Sequence, residues 1–409
     1  MMLRTALLAA AAALCAAPAL AQNGAQSGPA PTKAQRAVHE SVIVMDTHFD
    51  TPALFGRQGW DIADRHDVRT DGSQVDYPRM VDGGVDGGVF VVYTPQGPRT
   101  PEGHAQARDR ALVRITEIHE MAARHADKFQ IVTTADEARA LANTPKRFVF
   151  ISLENSYPFG RDLTLMETFY KLGARMMSPV HTSNNELADS ATAPAEHGGL
   201  SPLGRQWVAE ANRLGVLIDA SHASDAATEQ MIELSTAPII LSHTGARAVF
   251  DHPRNIPDDL IRKLAAKGGV IQLNALSGYM IKVPPNPERT AALAEVRQRF
   301  GGEPKTQAQA EALTRAVAEV DAKYPIPRAT FDDFMAHLLH AIEVAGIDHV
   351  GISGDFDGGG GLVGFDQVTD YPKITAALLA KGYSKEDVAK VWGGNALRVF
   401  AAADAAKAK

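Results

Sequence analysis

Cysteine is nearly absent from this chain. Of 409 residues only Cys15 carries a thiol, and it lies in a segment that export would remove. Arg4 precedes an apolar stretch from Leu7 to Ala17, and Ala19-Leu20-Ala21 is a small-x-small cleavage pattern. Residues 1–21 therefore read as a secretory signal peptide, too short to remain as a membrane anchor. A lipid anchor on Cys15 is the competing reading, but Leu14 is bulky where a small residue is expected before a lipidated cysteine. Cleavage after Ala21 leaves a mature chain with no thiol, which excludes disulfides and thiolate metal ligands. Such a secreted protein depends on its core, and this chain is long enough to build a large one. The bacterial look of the signal makes the periplasm the expected compartment, with release from the cell as the second choice.

Blocks of like charge are missing too. A net charge of -7 over the whole chain is mild, and no basic run suggests a nucleic-acid partner. No hydrophobic tail offers a C-terminal anchor. Linkers are missing from the interior: residues 22–36, rich in Gly, Ser, Gln and Pro at their start, read as a flexible N-terminus. The alanine-rich end from Ala401 reads as frayed, with 402–409 a disordered tail. Between them residues 37–401 show no break, and a single catalytic domain of the barrel type fits that length.

What is present is a set of eight short apolar runs, at 42–45, 88–93, 148–153, 175–180, 216–220, 238–242, 269–273 and 349–353. Each is continuous and rich in Val and Ile, as strands buried on both faces are. Helical patterns lie between most of them. Ser201-Pro202 is a cap followed by a first-turn proline, and Leu203, Trp207, Ala211 and Leu214 then share one face before Gly215. Leu260, Ile261 and Leu264 do the same before Gly268, and Phe331, Met335, Leu338, Leu339 and Ile342 before Gly346. Strand then helix, eight times over, predicts an α/β fold, a (β/α)8 barrel of the TIM type. An open doubly wound sheet is the alternative. The segment 275–328 between the seventh and eighth strands is an insertion, with a polar helix expected over 306–322.

Polar residues stand at the carboxyl ends of these runs: His48 and Asp50 after the first, Glu154 after the third, His181 after the fourth, His222 after the fifth, His243 after the sixth and Asp355 after the eighth. That is the end where barrel enzymes carry out chemistry. A histidine at one strand end is, alone, more often a hydrogen-bonded structural residue. Seven costly polar groups on one rim are not explained that way. His119, His125, His337 and His340 lie on helical stretches and keep the structural reading. His48 and Asp50 are two apart, so on an extended segment they face the same way. Imidazoles and carboxylates suit borderline divalent metals. Three histidines and two carboxylates are too many for one tetrahedral ion with an open position. They suit two divalent ions roughly 3.5–4 Å apart, sharing a carboxylate and a bridging water as the attacking hydroxide. Zinc is the first choice, and manganese, cobalt and iron fit the same donors. Asp355 is then left over to orient the hydroxide and move a proton.

The chain at this point resembles the membrane (renal-type) dipeptidases, peptidase family M19 of the amidohydrolase superfamily. The matching segments run Asp46-Thr-His-Phe-Asp50, Val89-Phe-Val-Val-Tyr-Thr-Pro95, Ser152-Leu-Glu154, His181-Thr-Ser-Asn184, Gly199-Leu-Ser-Pro-Leu-Gly204, Asn212-Arg-Leu-Gly-Val-Leu-Ile-Asp219, Ser221-His222, Ser242-His243, Arg254-Asn-Ile-Pro-Asp258, Gly354-Asp-Phe-Asp-Gly358 and Gly393-Gly-Asn-Ala-Leu-Arg-Val-Phe400. They span nearly the whole mature chain in order. The resemblance implies that His48 and Asp50 bind one zinc and His222 and His243 the other, with Glu154 bridging. It implies that His181 contacts the scissile carbonyl and that Arg254 holds the substrate's terminal carboxylate; by residue type alone Arg254 reads as a surface ion pair. It places the proton shuttle at Asp355, with Asp357 bracing the loop. The implied substrate is a free dipeptide, including those with a C-terminal D-residue. Mammalian relatives carry a disulfide near the site and a lipid-anchor signal. Here Ser183 stands at one of those cysteine positions, so neither the anchor nor disulfide-linked dimerisation carries over. The insertion is placed to cover the site or to make contacts in a homodimer. Two other readings remain: a related amidohydrolase acting on acyl-amino acids, lactams or esters, and a periplasmic peptide- or metal-binding protein without turnover. Asp355 speaks against the last, since a binder needs no proton shuttle.

Overall fold

Continuous runs of Val, Ile and Phe become parallel strands here because both of their faces are covered. In the computed structural model, which describes residues 28–407, eight such strands form a ring: β1 (Met45–Phe49), β2 (Gly87–Tyr93), β3 (Arg147–Glu154), β4 (Ala174–Met177), β5 (Leu217–Ile218), β6 (Ile240–Ala246), β7 (Val270–Leu273) and β8 (Val350–Ile352). β1 to β5 are neighbours in one sheet and β6 to β8 in another, all parallel. Two isolated parallel bridges close the ring. Asp219 meets Ile240 between β5 and β6, where Ala220 N donates to Ile240 O at 2.8 Å; Phe49 meets Phe356 between β8 and β1, where Asp50 N donates to Phe356 O at 3.0 Å. The expected barrel is therefore present, with two thin seams. Two short strands outside the ring, Phe129–Ile131 and Asn255–Ile256, pair with β3 and β6.

The first apolar run is offset from its strand: β1 begins at Met45, so His48 lies inside it. The capped helix Pro202–Leu214 starts at Ser201, whose Oγ accepts from Gly204 N, and ends at Gly215 in the left-handed region, φ 74°. The insertion holds two helices, Pro287–Phe300 and Gln307–Lys323. Leu293, Val296, Ala316, Val317 and Val320 form a small core between them. The insertion is tied down at Gln58, which donates to Lys305 O and accepts from Gln307 N.

Both chain ends depart from expectation. The signal segment 1–21 falls outside the described residues. The flexible N-terminus ends earlier than residue 36, because Thr32 and Gln35 form a reciprocal capping box that starts a helix at Lys33–His39. The alanine-rich end is not frayed over 401–405. Helix Asn395–Ala405 continues through it, with Ala403 buried. Its Leu397 and Phe400 pack with Met45, Val89, Phe148, Phe150, Met176, Leu217, Ile240 and Val270, and Phe400 stacks on Phe150 at 4.3 Å. Small residues that read as a frayed end are what let this helix seat at the amino-terminal end of the barrel.

His39 anchors the first helix. Its Nε2 donates to Gly83 O at 2.8 Å, and Nδ1 accepts from Thr375 Oγ1 at 2.7 Å. Burial lowers its pKa to about 4. The unfolded chain therefore takes up a proton that the folded chain refuses, and stability falls as pH drops from about 6.5 to about 4. The contribution is about 3 kcal/mol. Denaturant titrations of the parent and His39→Gln at pH 7 and pH 4 should show the parent losing about that much more between the two pH values; equal losses would reject the assignment.

Candidate metal centre

Glu154, the last residue of β3, is the middle of a cluster at the carboxyl end of the ring. Its Oε2 lies 3.7 Å from His48 Nε2, while its Oε1 lies 3.2, 3.6 and 3.9 Å from Nε2 of His222, His243 and His181. Asp50 Oδ2 is 3.3 Å from His48 Nε2. Asp355 joins His48 and Asp50, with donor atoms all within 4.8 Å of one another. The two oxygens of one carboxylate thus face two different sets of donors.

Local backbone explains the convergence. The register of β1 on β2 shifts between Asp46 and Phe49, and Asp50 has φ -82° and ψ 8°. His48 and Asp50 therefore meet through a bulge and not as alternate residues of a regular strand. His243 lies inside β6, not after it. His222 (φ 69°), Asp355 (φ 52°), Asp357 (φ 65°) and Asn155 (φ 68°) are all left-handed, against one such non-glycine residue elsewhere among those described, Asn143. Strain of this kind persists where surrounding structure enforces it and concentrates at functional sites. Gly358 is obligatory for a different reason. A Cβ there would come within 2.0 Å of Asp50 Oδ2 and 2.7 Å of Asp355 Oδ1.

The electrostatics fit cations. Burial, opposed by His48 and reinforced by Asp50 and Asp355, pushes Glu154 well above the usual carboxylate range. Burial likewise raises Asp355 to about 7. Burial would lower His48, but Glu154 and Asp50 outweigh it and raise the imidazole to about 10. His222 and His243 are held well below 6.5 by burial and by neighbouring positive charge, Arg254 included. Two imidazoles that burial keeps neutral put their Nε2 atoms 2.8 Å apart. Glu154 Oε1 is buried and accepts no hydrogen bond. Bare nitrogens and an unsatisfied carboxylate oxygen aimed at one point are the donor set a divalent metal takes.

Comparison with known proteins gives the same answer. A family model described as membrane dipeptidase (Peptidase family M19) matches residues 32–409. The chain belongs to this family. It is 30% identical to Dipeptidase tcpJ of Claviceps purpurea over 80% of this chain and 68% of the fungal protein. It is also 30% identical to mouse Dipeptidase 3 over 87% of this chain and 64% of the mouse protein. The solved structure of the probable dipeptidase PvdM from Pseudomonas aeruginosa covers 91% of this chain and 98% of its own, with 29% identity and a TM-score of 0.78. A Rhodobacter sphaeroides metallopeptidase, solved with a phosphinate mimic of the dipeptide L-Ala-D-Ala, shares the fold at 24% identity and a TM-score of 0.68, over 88% of this chain and 99% of its own. As an M19 member the chain is a metallodipeptidase.

Two further residues stand beside this cluster. His181 is a neutral imidazole; burial and the charges of Arg254 and His48 lower its pKa to about 3. Arg254 is not the surface ion pair its residue type suggested. It is 3% exposed, lies over the Tyr279 ring at 5.3 Å, and donates from Nη2 to His243 O at 3.2 Å. Its Nε is buried without a partner, and no Asp or Glu pairs with it among the described residues. Asp357 braces its loop, accepting from Gln74 N at 2.7 Å and Thr51 Oγ1 at 2.6 Å. His119 and His340 bond to Leu172 O and Asp258, His125 Nε2 lies 2.7 Å from Asp61 Oδ1, and His337 Nδ1 accepts from Ala246 N, so these four are structural.

Two aspartates went unrecognised as site residues. Asp46 accepts from His48 N at 2.8 Å, Gly354 N at 2.5 Å and the Tyr371 hydroxyl, joining the strand that bears His48 to the loop that bears Asp355. Asp219 does the same at the other seam, accepting from Ser221 N and Ser242 N at 2.9 Å each. The signal was available: Asp46 lies within the buried β1 and Asp219 directly follows β5, where a charge is as costly as at the proposed ligands.

Proposed function

We propose that this enzyme hydrolyses free dipeptides, including those with a C-terminal D-residue, using two divalent ions, zinc first, held by His48, Asp50, Glu154, His222 and His243. The observation that carries the substrate class is Arg254: a buried guanidinium without an acidic partner, at the edge of the cluster. A planar fork in that position fits a free carboxylate, and a peptide or neutral ester lacking that charge would leave its donors unpaired. The dipeptide mimic bound by the Rhodobacter protein is in keeping with this class.

When bound, the ions supply Lewis acidity and lower the pKa of water towards neutrality. The rest falls to the protein. Arg254 fixes the carboxylate end and so sets which bond reaches the cluster. Neutral His181 donates a hydrogen bond to the carbonyl oxygen as negative charge develops there. Asp355 accepts the proton released on attack and returns it to the leaving amine. The signal segment supports export to the periplasm. No helix among the described residues is long and apolar enough to cross a membrane.

Kinetics on matched pairs of dipeptides and their C-terminal amides test the substrate assignment. The parent should prefer the free acid, and Arg254→Ala should act on acid and amide nearly alike. Charge-assisted hydrogen bonds are worth about 1.5–3 kcal/mol, so the ratio of kcat/KM values should collapse roughly 10–150-fold. An unchanged ratio would move the assignment to a broader amidohydrolase acting on acyl-amino acids, lactams or esters. Running L,L and L,D pairs together reads the stereochemical preference.

A further inference from the structure

The second nitrogens of the three histidine ligands are not treated alike. Nδ1 of His48 and of His222 is buried without a hydrogen-bond partner. His243 Nδ1 instead lies 2.9 Å from Ser242 Oγ. Ser242 Oγ in turn lies 2.6 Å from Asp219 Oδ2, and Asp219 Oδ1 accepts from the backbone N–H of Ser221 and Ser242. Ser221 Oγ accepts from His243 N at 3.1 Å. All of these residues are buried, Ser221 and Ser242 completely.

The directions of these bonds follow from donor capacity. Two backbone N–H groups can only donate, so they favour Asp219 as a carboxylate, which can only accept. The single proton of the Ser242 hydroxyl is then committed to Asp219. What Ser242 offers His243 is a lone pair, so His243 must carry its proton on Nδ1. Its Nε2 is left bare and aimed into the cluster, 3.6 Å from Glu154 Oε1. We infer that Asp219 and Ser242 are positioning residues that fix the tautomer and ring orientation of His243, and so set the affinity of the one metal position that His243 and His222 serve. The other position, at His48 and Asp50, has no such relay. The inference rests on the two-metal reading above and adds an asymmetry to it: one ion is held by a braced imidazole, and the other is not.

Partners of this kind are typically worth 10–100-fold in metal affinity. The test uses the full mature enzyme loaded with zinc. Graded chelator competition, followed by metal analysis, is run on the parent, Ser242→Ala and Ser242→Thr. In Ser242→Ala one of two ions should leave at a 10–100-fold lower chelator strength while the other leaves as in the parent. Ser242→Thr, which keeps the hydroxyl, should restore the parent pattern. Equal retention of both ions in Ser242→Ala, or loss that threonine does not rescue, overturns the relay. A parent that holds only one ion defeats the two-metal reading instead, and the two failures are distinct. Should Ser242→Ala not fold, the parent itself decides: in the zinc-loaded protein the Nδ1–H of His243 should give a solvent-protected proton resonance, and its absence overturns the assignment.

Discussion

Replacing Asp355 with asparagine should lower kcat about 10²–10⁴-fold, the usual worth of a positioned proton-transfer group, while KM and metal content stay near those of the parent. The substitution is chosen to isolate the proton. Asparagine fills nearly the same space and tolerates the left-handed φ of 52° that Asp355 adopts. The turn at Gly358, whose N–H donates to Asp355 O, depends on the backbone and is untouched. What is lost is a carboxyl that burial raises to about 7, close to where a group that both takes and gives a proton is most effective. Steady-state kinetics beside metal analysis separate the roles. An Asp355→Asn enzyme that has lost an ion would make this residue a ligand, as its place next to His48 and Asp50 allows.

Removing the metal should abolish activity altogether. The ligand atoms converge on a centre where Glu154 Oε1 has no hydrogen bond and two imidazole nitrogens stand 2.8 Å apart. No protein group can take over the polarising charge, because the nearest cation outside the cluster, Arg254, is committed to the substrate's carboxylate in the proposed mode. Dialysis against a chelator should therefore leave no measurable turnover, and zinc should restore it. Manganese, cobalt and iron give a series from which the best metal is read. Elemental analysis of the active protein should give about two ions per chain. A clean value of one would make Glu154 a ligand to a single ion, and full turnover in a rigorously metal-free sample would end the mechanism.

The barrel was legible because its strands are buried on both faces and so carry continuous apolar runs. All eight runs overlap or adjoin ring strands. The residues that converge on the cluster were legible because each is a polar residue at or near the end of such a run. Three things were hidden, each for a physical reason. The bulge in β1 leaves no mark in Met45–Phe49, yet it is what brings His48 to Asp50. Asp46 and Asp219 show in the sequence as costly charges, but the seams across which they satisfy backbone N–H groups do not, since nothing in a single strand announces a neighbour that is distant in sequence. The final helix looked like tail because alanine signals little by itself; its value appears only against Phe150 and the other residues it covers. Arg254 shows the converse. Its role came from resemblance, and the burial that supports the role is a tertiary fact.

The two seams have a thermodynamic consequence. Each is closed by a single backbone bridge, and each lies beside the cluster: the proposed ligands His222 and His243 flank one from both sheets, while at the other the proposed ligand Asp50 faces the proton shuttle Asp355. An ion held by His222 and His243 would be a rivet through the staves as well as a reagent. Its binding free energy adds to that of folding, by about 4 kcal/mol for free metal at a thousandfold excess over Kd. Scarcity of metal therefore reaches this enzyme twice, once by stopping turnover and once by loosening the joints that keep the barrel shut. With a single cysteine in the whole sequence, no disulfide within the chain can hold the barrel in the ion's place, and the supply of metal becomes part of the supply of folded enzyme.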